Sequence, residues 1–236
     1  MNKTNLITRK TYGFFALLWL LFATSATVFA EQNVSPGIND YYRDDPDFHI
    51  WVQRFETEGR EVFDRRYDIL KAMAIQPGMR IADIGAGTGL YTRLFSRAVG
   101  PNGKVYAVDI SDEFVRNIVR LAQERSMANV VGVVSTDKDV KLAADSIDLA
   151  FVCDTYHHFE YPQTMLSSIR QALGKDGQLV VIDYRKQRGL SSSWVMGHVR
   201  PDQEQVKQEI SQAGFEYVRD FDFLTTNYFM VFRNQK

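Results

Sequence analysis

The sequence predicts an α/β fold: a mostly parallel sheet of about seven strands, helices on both faces, and an antiparallel hairpin at the C-terminus. Three observations predict it. From Arg80 onward short apolar runs alternate with amphipathic helical segments, and helix-start or turn residues stand between them. The last two strand candidates are joined by only a short connection, too short for a parallel crossover.

Residues 31 to 47 are polar and turn-rich, with Pro36-Gly37 and Asp44-Asp45-Pro46, and are expected to be an exposed leader. From Phe48 to Met73 apolar side chains (Trp51, Phe55, Val62, Phe63, Ile69, Leu70) recur at roughly helical spacing among Glu and Arg. Gly59 is expected to divide this stretch into two helices. Residues 31 to 75 thus form a leader with lid helices, whose aromatics Tyr41, Tyr42, Trp51 and Phe55 can cover a pocket, pack on the sheet, or do both.

Strands are expected at Arg80 to Ile84, Lys104 to Val108, Val130 to Val134, Ile147 to Cys153 and Leu179 to Tyr184. Ser111 can cap the helix bearing Phe114, Ile118 and Leu121. Pro162 can start the helix bearing Met165, Ile169 and Leu173, and Gly174 is expected to stop it. Pro201 is expected to open a last helix, with Val206 and Ile210, that ends at Gly214. Phe215 to Phe221 and Tyr228 to Phe232 then make the hairpin. No internal repeat or low-complexity tract interrupts this order.

The 236 residues open with Lys3, Arg9 and Lys10, an apolar run from Gly13 to Ala23, and small residues before Glu31. Those are the parts of a signal peptide, residues 1 to 30, cut after Ala30. The uncharged stretch Thr11 to Ala30 can alternatively be kept as a membrane anchor. Either way the domain is expected outside the cytoplasm, most simply in a periplasm. The remaining 206 residues suffice for one domain, 76 to 236, with its leader.

The chain carries 28 basic and 29 acidic residues, and removing residues 1 to 30 takes away three bases and no acids, leaving a net charge of minus four. The longest basic cluster, Arg185-Lys186-Gln187-Arg188, is short, so no nucleic-acid partner is expected. The single Cys153, in an apolar strand, excludes an internal disulfide and a Cys-rich zinc site.

The segment richest in chemistry is Arg80-Ile81-Ala82-Asp83-Ile84-Gly85-Ala86-Gly87-Thr88-Gly89-Leu90, a strand running into three alternating glycines. Glycines let the backbone reach a ligand at contact distance, and the following helix offers unpaired N–H groups. Dinucleotide-binding loops show G-x-G-x-x-G. Here the pattern is D-x-G-x-G-x-G, and the carboxylate of Asp83 suits a ligand carrying an ammonium and a sulfonium better than a pyrophosphate. Asp109 ends the second strand 20 residues beyond Gly89, where a carboxylate can accept both ribose hydroxyls.

With Asp83, the glycines, Asp109 and the terminal hairpin, the chain resembles the class I S-adenosylmethionine-dependent methyltransferases over about Gln76 to Phe232. The resemblance implies a Rossmann-like sheet, S-adenosylmethionine as cofactor, and in-line transfer of its methyl group. It further implies that Asp83, Gly85, Ala86, Gly87 and Gly89 hold the amino-acid part, Asp109 the ribose, and Ile110 one adenine face. An acid after the third strand often holds the adenine amine in that family. Here the expected place is Thr136, so Asp137, Thr136 or a backbone group is the candidate.

Asp154-Thr155-Tyr156-His157-His158-Phe159 follows the fourth strand, at the carboxyl edge where open α/β sheets bind ligands. Asp154 is taken as a cofactor contact and Tyr156 as a substrate contact. His157 or His158 can act as a proton acceptor, or the pair can simply shape the pocket. Adjacent histidines with Asp154 make no recognisable ligand spacing, so no metal is expected. After the fifth strand an irregular loop to Arg200 is expected to face substrate through Asp183, Arg185, His198 and Arg200, unless those charges are solvated or paired among themselves.

The expected activity is methyl transfer to a small-molecule acceptor, such as an apolar quinone-like or phenolic compound, by a monomer or weak dimer. Membrane contact follows only if residues 11 to 30 are retained. An exported, non-catalytic nucleoside- or ligand-binding protein on the same fold is the alternative, and an NAD-dependent oxidoreductase, which would lack the hairpin, is a third reading.

Overall fold

The computed structural model describes residues 30–44 and 46–236. Residues 1–29, which carry most of the expected signal segment, lie outside the described residues. The chain divides between Ala30 and Glu31, and the unit Glu31–Lys236 is the one described below. Among the described residues no helix is long and apolar enough to cross a membrane.

Four short helices come first: α1 (Asp40–Arg43), α2 (Phe48–Phe55), α3 (Glu61–Asp64) and α4 (Arg66–Ala72). Alternation follows, with β1 (Arg80–Ile84), α5 (Leu90–Val99), β2 (Lys104–Asp109), α6 (Asp112–Glu124), β3 (Val130–Val134), β4 (Ile147–Cys153), α7 (Pro162–Ala172) and β5 (Leu173–Tyr184). A single 3-10 turn at Tyr156–His158 joins β4 to α7. The chain ends with α8 (Ser193–His198), α9 (Gln203–Gln212), β6 (Phe215–Phe221) and β7 (Asn227–Asn234).

The seven strands lie in the order β3-β2-β1-β4-β5-β7-β6. The pairs among β1 to β5 are parallel, and β7 runs antiparallel to both β5 and β6. Strand order reverses between β1 and β4, which opens a crevice at their carboxyl ends. Period-two alternation sends neighbouring side chains to opposite cores. Ala82, Ile84, Val152, Val181 and Met230 join α7 and α9 on one face, while Ile81, Phe151, Val180, Ile182 and Phe229 join α4 and α5 on the other. Burial on both faces is why β1, β4 and β5 read as continuous apolar runs.

The local signals for α6 and α7 hold. Ser111 Oγ accepts from the Phe114 N–H, and Pro162 stands in the first turn of α7. Four expectations need correction. The stretch around Gly59 makes three helices, α2 to α4, because the chain turns once more at Arg65. Gly174 does not stop α7: the side chain of Asn234 on β7 donates to the Arg170, Leu173 and Gly174 carbonyls at 3.2 Å each, so no left-handed glycine is required. The chain passes directly into a longer β5, with a register shift against β4. The segment 185–200 is not wholly irregular, since Ser192 caps α8 by accepting from Val195 N–H. Finally, Asp202 caps α9, one residue beyond Pro201.

The leader is no loose tail. Asn33, Asn39 and Arg43 converge on the buried carboxylate of Glu160, and Asn39 Nδ2 also donates to the His158 carbonyl at 2.9 Å. Glu31 accepts from the free N–H groups of Gln163 and Thr164, completing the start of α7 that Pro162 leaves uncapped. The 31–44 segment is therefore bolted to the loop that carries the two adjacent histidines. At the opposite side Glu61 of α3 accepts from the backbone N–H groups of Thr225, Thr226 and Asn227, tying the lid helices to the hairpin.

Candidate active site

The carboxyl ends of β1, β2 and β4 open into one cavity of roughly 1000 Å³, its mouth included. The glycine loop forms its floor. Gly85, Gly87 and Gly89 all adopt positive φ (70°, 55° and 76°), and the Gly85 and Ala86 N–H groups both donate to the Val108 carbonyl. The loop is thus pinned to the end of β2. Gly85 lies so close to Thr155 that an added Cβ would sit 2.8 Å from the Thr155 Cβ, in steric conflict.

That crowding gives a first prediction. Gly85→Ala combines left-handed strain with overpacking, whereas Gly78→Ala at φ +87° faces open space and carries the strain alone. Gly85→Ala is expected to cost about 1–3 kcal/mol more than Gly78→Ala by denaturant unfolding. Equal costs for the two would remove the steric argument.

Asp83 and Asp109 are both buried at this floor. Thr92 Oγ1 of α5 donates to Asp83 Oδ2 at 2.5 Å. Burial nevertheless pushes the Asp83 carboxyl up to about 7, against the bonds from Thr92. Asp109 accepts from Gly87 N–H through Oδ2 at 2.8 Å and from Ser111 N–H through Oδ1 at 2.9 Å. Its carboxyl is pushed by burial to about 6 despite those bonds. Two carboxyls raised by desolvation at one cavity floor make a place for a cationic, hydroxyl-bearing ligand.

Of the residues singled out in the sequence, Asp83, Gly85, Ala86, Gly87, Asp109, Ile110, Asp137 and Asp154 line the cavity, as does Thr136. Gly89 does not: it caps α5 and packs against Ile118. Asp154 lines the wall with its carboxylate already engaged, by Arg60 Nη2 at 2.7 Å and Asn227 Nδ2 at 2.6 Å. Tyr42 and Phe55 close the cavity from the lid, while Trp51 packs in the small core with Phe48 and Phe114, and Tyr41 is exposed. Asn39, Arg60, Ser135 and Thr155 also line it and carried no sequence signal of their own. Only the position of Arg60 beside a break at Gly59 hinted at a turn into the site.

The histidines behave differently from each other. His157 is buried, with Nδ1 at 2.8 Å and its backbone N–H at 3.0 Å from the Asp183 carboxylate. His158 lines the cavity, and burial lowers its imidazolium to about 2, so the ring is neutral. Its Nδ1 has no hydrogen-bond partner.

The expected polar set after the fifth strand is divided by the structure. Asp183 and His198 gather around His157. Arg200 forms a two-pronged ion pair with Glu209 at 2.7 and 2.9 Å, and Arg185 donates to Gln203. Tyr156 is fully buried with its hydroxyl donating to Glu209 at 2.9 Å, so it faces the core of the α9 side instead of the cavity.

A seven-stranded sheet with β7 reversed, and a cavity floored by a glycine loop and two strand-end carboxylates, define an α/β enzyme that holds a nucleoside cofactor at its topological switch point. Residues 75–228 match the family described as "Methyltransferase domain". The chain is 27% identical to a ubiquinone/menaquinone biosynthesis C-methyltransferase of Shewanella sp. (strain ANA-3), over 74% of this chain and 80% of that one. Among solved structures, an S-adenosylmethionine-dependent methyltransferase from Aquifex aeolicus superposes with a TM-score of 0.71 at 23% identity, over 80% of this chain and 98% of that one. A Haemonchus contortus phosphoethanolamine N-methyltransferase in complex with S-adenosyl-L-methionine superposes at 0.60 and 20% identity, over 75% and 46%.

The chain belongs to the class I S-adenosylmethionine-dependent methyltransferase family. It is an enzyme whose cofactor is S-adenosylmethionine.

Proposed function

We propose that this methyltransferase acts outside the cytoplasm on a small, partly apolar acceptor of the quinone or phenol class. The single observation that carries the acceptor size is the cavity itself, closed over the donor floor by Tyr42 and Phe55 from the lid. The quinone-pathway C-methyltransferase similarity and the absence of a basic groove in the sequence support the acceptor class. The basic start, apolar run and small residues before Glu31 support export, with cleavage after Ala30 separating residues 1 to 30 from the domain.

In this reading the cavity fits the donor. Asp83 and the glycine-loop backbone hold its amino-acid end, and Asp109 accepts from the ribose hydroxyls with the lone pairs that Gly87 and Ser111 leave free. Ile110 packs on the adenine, and Thr136 or Asp137 meets its amine. Bound S-adenosylmethionine supplies an activated methyl group on a sulfonium, so the protein's part is alignment and exclusion of water. Tyr42 and Phe55 do the excluding, and His158, neutral and facing the cavity, is the group placed to accept a proton from an acceptor hydroxyl. The chain acts as a monomer or weak dimer in this reading. Incubating the purified protein with S-adenosylmethionine and a panel of hydroxylated quinols, and following methylated product by mass spectrometry, tests the acceptor class; turnover only on a protein or nucleic acid would overturn it.

Donor binding should also depend on pH. Asp83 and Asp109 are raised above their unfolded values, so the stability they contribute is fully present below about 3.8 and is lost as pH rises through about 6 to about 7. A cationic donor pairs only with the ionised carboxylates and restores that loss. The rise in melting temperature produced by S-adenosylmethionine is therefore expected to be larger at about pH 7.5 than at about pH 5.5. A rise independent of pH would mean that neither carboxylate meets the donor.

A further inference from the structure

Three of the chain's four histidines meet at one point. His157 and His158 come from the 3-10 turn after β4, and His198 ends α8, forty positions later in the chain. Their ring centroids stand 4.3 Å (His157 to His158), 5.3 Å (His157 to His198) and 5.4 Å (His158 to His198) apart. One nitrogen from each ring lies within 4.8 Å of the others. No metal was expected from the sequence, because adjacent histidines with Asp154 have no ligand spacing. The third ligand in space is His198, which spacing alone does not reveal.

We propose that His157, His158 and His198 form a binding site for a borderline divalent transition metal of the zinc class, open at a fourth position. Imidazole nitrogens suit Zn²⁺, and three of them with one exchangeable place is the pattern of reactive rather than closed structural zinc sites. A shell of Zn–N bonds about 2.0–2.1 Å long puts the nitrogens roughly 3.4 Å apart, so from a spacing within 4.8 Å the rings need to draw in by at most about 1.4 Å.

Each ring is supported separately. His157 Nδ1 is held on the buried carboxylate of Asp183, which fixes the tautomer and leaves Nε2 as the ligating atom, the carboxylate–histidine arrangement that orients metal ligands. The Nδ1 atom of His158 is buried with no protein partner, a cost that a metal bond would remove. His198 is stacked on Trp194, with centroids 4.6 Å apart and planes 23° from parallel, so its ring is braced against rotation. Tyr184 packs edge-on against both His157 and Trp194.

The site lies where two open spaces of the domain approach one another. His158 lines the donor cavity, and His198 lines a shallow groove with Lys186, Arg200 and Ser35 to Ile38. The fourth position is thus suited to water or to an oxygen of the methyl acceptor, whose acidity the metal would then set in place of the free His158 ring, a consequence that rests on the small-molecule reading above. The metal site itself does not.

The test uses the full chain, stripped with a chelator and titrated with Co²⁺ alone while visible absorption is followed. One equivalent is expected to give the intense bands of a four- or five-coordinate nitrogen site, displaced by Zn²⁺. His198→Ala, half-exposed at the end of α8, is expected to weaken Co²⁺ binding at least tenfold with an unchanged melting curve. His49→Ala, the remaining histidine, which lies on α2 outside the cluster, is expected to leave binding unchanged. Weak, six-coordinate absorption, or binding equally tight in His198→Ala, would overturn the site. Calorimetry with S-adenosylmethionine on the same samples separates this failure from a failure of donor binding, since the donor floor shares none of the three rings' nitrogens.

Discussion

Asp109→Ala is expected to lower affinity for S-adenosylmethionine by about 100-fold or more, the largest loss for any single side chain of the donor floor. The carboxylate has two tasks. It is buried at the end of β2 and bonds the backbone N–H groups of Gly87 and Ser111, one from the glycine loop and one from the N-cap of α6. Alanine leaves both donors without a partner, each costing about 1–3 kcal/mol if buried, and also removes the acceptor proposed for the ribose hydroxyls. Two lost charge-assisted bonds to the ribose, at about 1.5 kcal/mol each, correspond to roughly the 100-fold quoted. Asp109→Asn separates the tasks, because its amide oxygen can keep one backbone donor while the second ribose acceptor is gone. Calorimetric titration with the donor, beside a denaturant melt of each variant, reads the two effects. Asp109→Ala binding within threefold of the unchanged chain would place the ribose elsewhere.

Asp109 was legible in the sequence for the same reason that it matters. A strand buried on both faces must be an apolar run, and an acid ending such a run has few explanations apart from a ligand or a cap. Here it holds the Ser111 N–H at the start of α6, and the ligand role is the one proposed above. The central strands were legible on the same ground, and five of the seven strands kept the expected limits to within a residue at each end. What the sequence hid lies where side chains from distant segments decide the outcome. Gly174 carries a helix-stop signal that Asn234, sixty residues on, makes unnecessary. The 31–47 stretch reads as solvated because the group on which Asn33, Asn39 and Arg43 converge, the buried Glu160, lies more than a hundred residues away in the chain. Arg200 reads as a substrate group until Glu209, on the next helix, takes it. The His198 contribution to the histidine cluster belongs to this class, and no spacing rule reaches it.

The second large expectation concerns Arg60, which no motif marks. It precedes α3, donates through Nη1 to the Phe55 carbonyl at 2.9 Å and through Nη2 to Asp154 at 2.7 Å, and holds its guanidinium 4.8 Å from the Phe55 ring centroid. The Asp154 side chain is only 4% exposed, so Arg60→Ala leaves a buried carboxylate with Asn227 as its one remaining partner. Breaking a buried pair from one side costs about 3–5 kcal/mol, because the orphaned charge keeps its desolvation penalty. The sign of the pH dependence follows. Burial already raises the Asp154 carboxyl, with Arg60 opposing, and removing Arg60 raises it further. A carboxyl raised in the folded state contributes stability at low pH that is lost as pH climbs through its folded value. The Arg60→Ala deficit should therefore be small in acid and grow toward neutrality. Asp154→Asn in the same chain should recover much of it, since a neutral amide needs no counter-charge. Equal deficits at about pH 5 and about pH 8, with no recovery in the double variant, would mean that Arg60 acts through its packing on Phe55 alone. If the ion pair dominates, one buried charge reaching from the segment before α3 to the end of β4 holds the lid helices over the donor cavity together with the Glu61 contacts to the hairpin and the Glu56–Arg93 pair. Loosening the lid should then weaken donor binding even though Arg60 lies on no recognised motif.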